Sequence, residues 1–264
     1  MTEPHTWHYG LIAETWAEFS HETPELAFLE KQITGYGQPV LDLACGTGRL
    51  LIPMMVLGID IDGADISEDM LGLLQSLANE EGLTPTLYRQ PMHALDLPRQ
   101  YGTIYIAGSF GLSGSRQLDL ETLKQCRRHL NPDGALIFNI YPEYFDKKSW
   151  LDWLRESRKA MPEPWPKEGR SRTTADGTEY VTRSRMVNVD PLEQSYIREM
   201  RVEKLREGEL IEYEERTLRG QMHFRNEVEW MLRLAGFTTI SAYGGYSEED
   251  VTADHGEIVF IARR

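Results

Sequence analysis

The stretch Val40-Leu41-Asp42-Leu43-Ala44-Cys45-Gly46-Thr47-Gly48-Arg49-Leu50-Leu51-Ile52 decides the fold. A short apolar run ends in a glycine turn, and apolar residues resume at once, which reads as strand, tight turn and helix. Glycine lets the backbone pass close to a ligand, and the helix beyond presents its first, unpaired N–H groups to it. Pro53 falls inside that helix and weakens or kinks it.

The same alternation continues outward. Ile59 to Ile66 reads as a second strand, and Ser67 caps a helix through Met70, Leu71, Leu73 and Leu74. Thr84 to Tyr88 and Thr103 to Ala107 read as a third and a fourth strand. Leu120 to Leu130 is a helix stopped by Asn131-Pro132-Asp133-Gly134, and Ala135 to Tyr141 is a fifth strand. Strands alternating with helices imply parallel βαβ units with helices on both faces of the sheet. Upstream, Tyr9 to Ser20 has apolar residues at helical spacing, and Thr23-Pro24-Glu25 predicts the start of a second helix, closed by Gly35.

From Pro142 to His223 the rhythm breaks. Ser149 to Ala160 predicts one helix, and a stretch with Pro162, Pro164 and Pro166 follows. Three segments with period-two alternation come next: Glu179 to Val189, Gln194 to Leu205 and Leu210 to Met222. They predict a three-stranded antiparallel meander turning at Asp190-Pro191 and Glu207-Gly208. A helix from Arg225 to Ala235 and strands at Thr238 to Tyr243 and Glu257 to Ala262 resume the core, the last two as a closing hairpin. The expected organisation is therefore one domain over 1–264, with a core of 1–141 and 223–264 and an insertion at 142–222 on the substrate side or at a subunit interface.

Composition narrows the function. The 264 residues carry 42 acidic groups against 28 Lys+Arg, a net charge of -14, with no segregated basic run. Such a surface repels phosphate backbones, which argues against nucleic acid as the substrate. The polar start Met1 to Gly10 and the lack of a long apolar run argue against a secretory leader and a membrane span. Only Cys45 and Cys126 are present, in a glycine turn and a helix, as in a reduced cytoplasmic protein without a structural disulfide.

Asp65 ends the second strand nineteen residues after Gly46, where a carboxylate is suited to accept both hydroxyls of a ribose. The same residue also suits a helix N-terminus beside Ser67. A dinucleotide site wants Gly or Ala three positions after the second glycine, and Leu51 stands there.

These residues resemble the class I S-adenosylmethionine-dependent methyltransferases. Val40 to Gly48 is similar to the family's first motif and Gly63-Ala64-Asp65-Ile66-Ser67-Glu68-Asp69-Met70-Leu71 to its second. Leu130-Asn131-Pro132-Asp133-Gly134-Ala135 resembles the turn before the fifth strand, and Ala235-Gly236-Phe237 the element before the sixth. The resemblance implies a Rossmann-like, seven-stranded, mostly parallel α/β sheet carrying the antiparallel β-meander insertion. It implies S-adenosyl-L-methionine as cofactor and a small molecule as methyl acceptor. The loop with Ala44, Cys45, Gly46 and Gly48 would meet the methionine part, Asp65 the ribose and Ile66 the adenine, with Asp42 and Met70 also among the cofactor-binding residues. Ala107 and Ser109 would face the cofactor near the acceptor.

The sequence departs from the family at Pro91, where many members have Asp, so adenine recognition passes to the backbone of Met92 or His93 or to a side chain elsewhere. Ala107-Gly108-Ser109-Phe110 is not the Asn/Asp-Pro-Pro-aromatic signature of base and glutamine methylators. Direct displacement at an activated sulfonium needs alignment and a dry pocket more than a catalytic side chain. No catalytic residue and no metal ligand is therefore assigned. Tyr9 and Trp16 are candidates for a lid, and His21 and His93 for a base, although each also suits a structural role. Gly46 is expected to lie against the cofactor with no room for a side chain. Arg183, Arg185, Arg198 and Arg201, interspersed with Glu199 and Glu203, read as a strand face with cross-strand pairs. The meander is similar in position to the added sheet of some sugar-amine N-methyltransferases, which makes it a candidate homodimer interface. The competing readings are a nicotinamide-dependent oxidoreductase and a non-catalytic cofactor-binding protein of the same fold.

Overall fold

The structure, a computed structural model, describes residues 6–264; of the polar start Met1 to Gly10, residues 1–5 lie outside the described residues. Helices α1 (Gly10–Phe19) and α2 (Leu26–Tyr36) precede β1 (Val40–Leu43). Then follow α3 (Leu51–Val56), β2 (Ile61–Asp65), α4 (Glu68–Glu80), β3 (Thr86–Arg89), β4 (Tyr101–Ile106), α5 (Arg116–His129) and β5 (Leu130–Ile140). Short helices α6 (Lys147–Asp152) and α7 (Arg155–Lys159) lead into β6 (Arg170–Thr173), β7 (Thr178–Asp190), β8 (Ser195–Arg206) and β9 (Glu209–Gln221). The chain closes with α8 (Arg225–Leu234), β10 (Thr239–Gly244) and β11 (Ile258–Arg263).

Seven strands form one sheet in the order β10-β11-β5-β4-β1-β2-β3. β1 to β5 pair with one another in parallel, and β11 runs antiparallel to both β5 and β10. The chain leaves β1 toward β2 and β3 on one side, then crosses to β4 and β5 on the other. That reversal opens a crevice above the carboxyl ends of β1 and β4. Both faces are covered, which is why β1 and β4 are buried along their whole length. On one face Phe28, Leu29 and Ile33 of α2, with Leu51 and Met54 of α3, pack on Val40, Tyr105 and Ile137. On the other, Leu123 and Cys126 of α5 and Val228, Met231 and Leu232 of α8 pack on Leu41, Ile104 and Phe138.

β6 to β9 form a second, antiparallel sheet. It has four strands where the alternation predicts three, because the basic segment Arg170–Thr173 pairs with Thr182–Glu179 of β7. The arginines of this sheet do form pairs: Arg183 with Glu203 and Arg185 with Glu199 across β7 and β8, and Arg201 with Glu215 across β8 and β9. Arg185 and Arg201 also lie over the Trp165 ring, each 4.5 Å from its centroid, which pins the proline-rich stretch to the sheet.

Three segments depart from the expected pattern. Thr23 does not cap α2, whose N-terminal neighbour is Glu25, and the helix runs past Gly35 to end at Gly37 in a left-handed conformation. The span 149–160 is two short helices, broken where Trp153 and Leu154 leave the ladder. Asn131 to Gly134 is not a free turn but an irregularity within β5, between the pairings Tyr101↔Leu130 and Thr103↔Ala135. α3, which contains Pro53, is only six residues long, in line with the weakening expected of that proline.

Candidate cofactor site

The loop after β1 is built from left-handed backbone. Ala44, Gly46 and Gly48 have φ of 64°, 54° and 86°. For Ala44 this is strained, and it is held by the Ala44 and Cys45 amides, which both donate to the Ala64 carbonyl of β2. A Cβ on Gly48 would strike Leu74 of α4 at 2.7 Å, so that glycine is required by packing. A Cβ on Gly46 would meet no atom of the described residues within 4 Å. The space beside Gly46 thus belongs to the crevice, and what excludes a side chain there is the backbone conformation rather than protein crowding.

Asp65 closes the other side of this cradle. Its Oδ2 accepts the Gly46 amide at 2.9 Å and its Oδ1 accepts the Ser67 amide at 2.8 Å. Burial pushes its carboxyl above the ordinary range, while the backbone donors of Ser67, Gly46 and Ile66 pull it back. Ser67 caps α4 as expected, its Oγ accepting the Met70 amide. Ile66 lies half-buried beyond Asp65, and Met70 is buried beneath it. Asp42 is buried under the loop, and burial pushes its carboxyl up to about 7, against the pull of Tyr105 and Arg49.

The segment after β3 is anchored by the Gln90 amide, which donates to the Asp65 carbonyl at 3.0 Å. Met92 and His93 are both half-buried there, and Met92 packs on the core edge. Among the described residues, neither of their amides donates a hydrogen bond. α1 covers this end: the Tyr9 hydroxyl donates to the Ile66 carbonyl at 3.4 Å. The first α1 amides, of Gly10 and Leu11, donate to Asp69 of α4 at 2.6 Å and to Glu214 of β9 at 2.7 Å. Trp16, by contrast, packs with Trp7, Leu11 and Tyr180 beneath the second sheet, and His21 is exposed beside Glu18.

At the end of β4, Ala107 and Ser109 are half-buried on either side of Gly108, whose φ is 74°. The Gly108 amide donates to Asn139 Oδ1 of β5 at 2.6 Å, and Tyr246 OH donates to the same oxygen at 3.2 Å. Asn139 Nδ2 in turn donates to Glu257 Oε1 at 2.7 Å. The sequence reading missed this trio, although Asn139 is the one polar side chain in the apolar run of Ala135 to Tyr141 and so signals its own partner.

Residues 40–134 match the profile of the methyltransferase domain family. A Geobacillus sp. (strain WCH70) protein assigned to the methyltransferases is 27% identical over 144 residues, 52% of this chain and 58% of that one. The dTDP-3-amino-3,6-dideoxy-alpha-D-glucopyranose N,N-dimethyltransferase of Streptomyces fradiae is 27% identical over 132 residues, 48% of this chain and 50% of its own. The chain thus spans about half the length of the curated relatives it matches. Among solved structures, an S-adenosylmethionine-dependent methyltransferase from Clostridium acetobutylicum superposes with a TM-score of 0.74 at 17% identity, over 95% of this chain and 96% of that one. The sugar N-methyltransferase KedS8 from Streptoalloteichus sp. does so with a TM-score of 0.70 at 15% identity, over 100% and 99%. At such identities the superpositions establish the fold, with its second sheet included.

Proposed function

We propose that this chain, which carries a domain of the class I methyltransferase family, transfers the methyl group of S-adenosyl-L-methionine to a small-molecule acceptor. The observation that carries the reading is the Asp65–Gly46 cradle: a carboxylate held by two backbone amides facing a glycine with open space beside it. Each Asp65 oxygen keeps a lone pair for a ribose hydroxyl after accepting its amide. The open side of Gly46 admits the sugar-to-methionine link of the cofactor at van der Waals distance. The residues therefore fit the group.

The cofactor, when bound, supplies an activated methyl on a positive sulfur, so the protein's part is to bind, align and exclude water. Ala44, Cys45, Gly46 and Gly48, over Asp42, would hold its methionine part and Asp65 its ribose. Ile66, Met70, Met92 and His93 would enclose the adenine, with the Met92 and His93 amides replacing the acidic side chain that Pro91 cannot provide. Ala107 and Ser109 would line the path of the methyl group.

The acceptor side falls to residues 142–222, which leave the main sheet at the carboxyl end of β5. Exposed Leu210, Ile211 and Tyr213 on the edge strand β9 support a homodimer contact through the second sheet. No described helix is long and apolar enough to cross a membrane. Two buried, unpaired cysteines support a reducing, cytoplasmic setting. Calorimetric titration tests the reading: S-adenosylhomocysteine binds and NADH does not, and the reverse outcome would discard it.

A further inference from the structure

Resting on that reading, we propose that the methyl acceptor is an amine and that Glu257 is the residue that holds its ammonium group beside Gly108. Glu257 immediately precedes β11, and the register Ile258↔Ile140 sets it opposite Tyr141, the first residue beyond β5. It therefore stands at the carboxyl edge of the sheet, where an acceptor must approach. Asn139 fixes it there by a chain of two hydrogen bonds, from Gly108 N–H to Asn139 Oδ1 at 2.6 Å and from Asn139 Nδ2 to Glu257 Oε1 at 2.7 Å. A Cβ on Gly108 would meet the Tyr141 hydroxyl at 3.7 Å, so Tyr141 overhangs the same spot, and its side chain is exposed.

The charge around Glu257 does not balance. The facing groups are Glu25 and Arg49 from the α2 and α3 side, Tyr141 from β5, Tyr246 from the loop before β11, and Asn139. Arg49 is the only cation among them, and Glu25 already holds it in a two-pronged pair at 2.7 and 2.8 Å. Among the described residues, Glu257 is left half-buried with only the neutral hydrogen-bond donors of Asn139 and Tyr141 on its carboxylate. A carboxylate in that state favours a cation, whereas a hydroxyl acceptor would leave its charge uncompensated. Burial, reinforced by Glu25, also raises its carboxyl, which brings it nearer to a proton acceptor's range.

The chemistry is balanced. The substrate ammonium gives one proton to a Glu257 oxygen, an N–H bond breaking as an O–H bond forms. The freed nitrogen lone pair then forms the N–C bond while the methyl's bond to sulfur breaks and its electrons stay on sulfur.

The test uses matched pairs of primary amines and their hydroxyl counterparts, led by dTDP-3-amino-3,6-dideoxy-α-D-glucopyranose and the corresponding 3-hydroxy sugar nucleotide, with label on the transferable methyl. In the wild-type protein the label is expected in amines and not in their hydroxyl partners. Glu257→Gln is expected to bind S-adenosylhomocysteine within about twofold of wild type by calorimetry, yet to transfer at least tenfold more slowly at neutral pH. That gap closes as pH passes the amine's own pKa, because a neutral amine no longer needs the carboxylate; a purely structural loss would be constant with pH. Glu257→Asp is expected to recover part of the rate. Label in hydroxyl acceptors only, or wild-type transfer to amines by Glu257→Gln, overturns the assignment. So does a variant that loses S-adenosylhomocysteine affinity with no pH-dependent loss of transfer, since Glu257 would then serve the cofactor's own amino end. Normal S-adenosylhomocysteine binding with no amine methylated overturns the amine assignment alone, whereas no binding at all overturns the methyltransferase reading beneath it.

Discussion

Asp65 and Gly46, on neighbouring strands' ends, are joined by one hydrogen bond of 2.9 Å from the glycine amide to the carboxylate Oδ2. The bond makes the acid proposed for the ribose also the brace of the glycine loop. Asp65→Ala is therefore expected to weaken S-adenosylhomocysteine binding by ~1–3 kcal/mol, as charge-assisted bonds to ribose are lost and the loop loses its anchor. Titration calorimetry on the folded variant checks this, and unchanged affinity would remove Asp65 from the site.

Gly46→Val combines two effects. The left-handed backbone at φ 54° costs a β-branched residue about 1–2 kcal/mol, and the side chain projects into the open crevice. The fold is expected to survive, with a slightly lowered urea midpoint, and cofactor binding to vanish. A variant that binds normally would move the cofactor away from this loop.

Asp42 links the loop to pH. Its folded carboxyl is raised to about 7 from an ordinary value near 3.8, mainly by burial. A group raised on folding contributes stability that is full below its unfolded pKa and is lost as pH rises through the folded one. The wild type should thus lose stability between about pH 4 and 7 relative to Asp42→Asn, whose side chain does not titrate. Urea denaturation of both proteins at pH 5 and pH 8 compares the slopes, and parallel behaviour would refute the assignment.

His223 and Asp119 form a buried pair at 2.9 Å, tying the return from the second sheet to α5, with Arg116 and Glu227 beside it. His223→Ala leaves the Asp119 carboxylate buried without that partner and is expected to cost about 3–5 kcal/mol. Burial lowers the His223 pKa, but hydrogen bonds to Asp119 and Glu227 outweigh it and the net shift is upward. The pair's contribution is then complete below the ordinary histidine value and fades as pH climbs through the raised one. Denaturation midpoints that respond to pH identically in wild type and His223→Ala would contradict this.

Much of the core was legible because its physics is local. Continuous apolar runs marked the buried strands, Ser67 marked the start of α4, and the spacing of Gly46 and Asp65 marked the cradle between β1 and β2. Arg183, Arg185 and Arg201 of the second sheet read correctly as paired because alternation fixes which residues share a face, whereas Arg198 lies over the Tyr196 ring instead. What escaped depends on distant chain segments. Nothing near Ala44 announces its left-handed backbone, which exists because two amides reach for one carbonyl on β2. β6 has the composition of a solvated basic loop and becomes a strand only through β7. Glu257 looks like a loop acid until antiparallel pairing brings it to Asn139, 118 residues away in sequence.

The first two amides of α1 bond to carboxylates on separate sheets' supports, Asp69 on α4 and Glu214 on β9. This makes the helix a clasp: its docking requires the main sheet and the second sheet to hold one fixed alignment. Any ligand that orders α1 against Ile66 must then stiffen the second sheet as well, although it never touches β9. Cutting the clasp by Asp69→Ala together with Glu214→Ala should let the two sheets melt at separate temperatures, where the intact protein melts once.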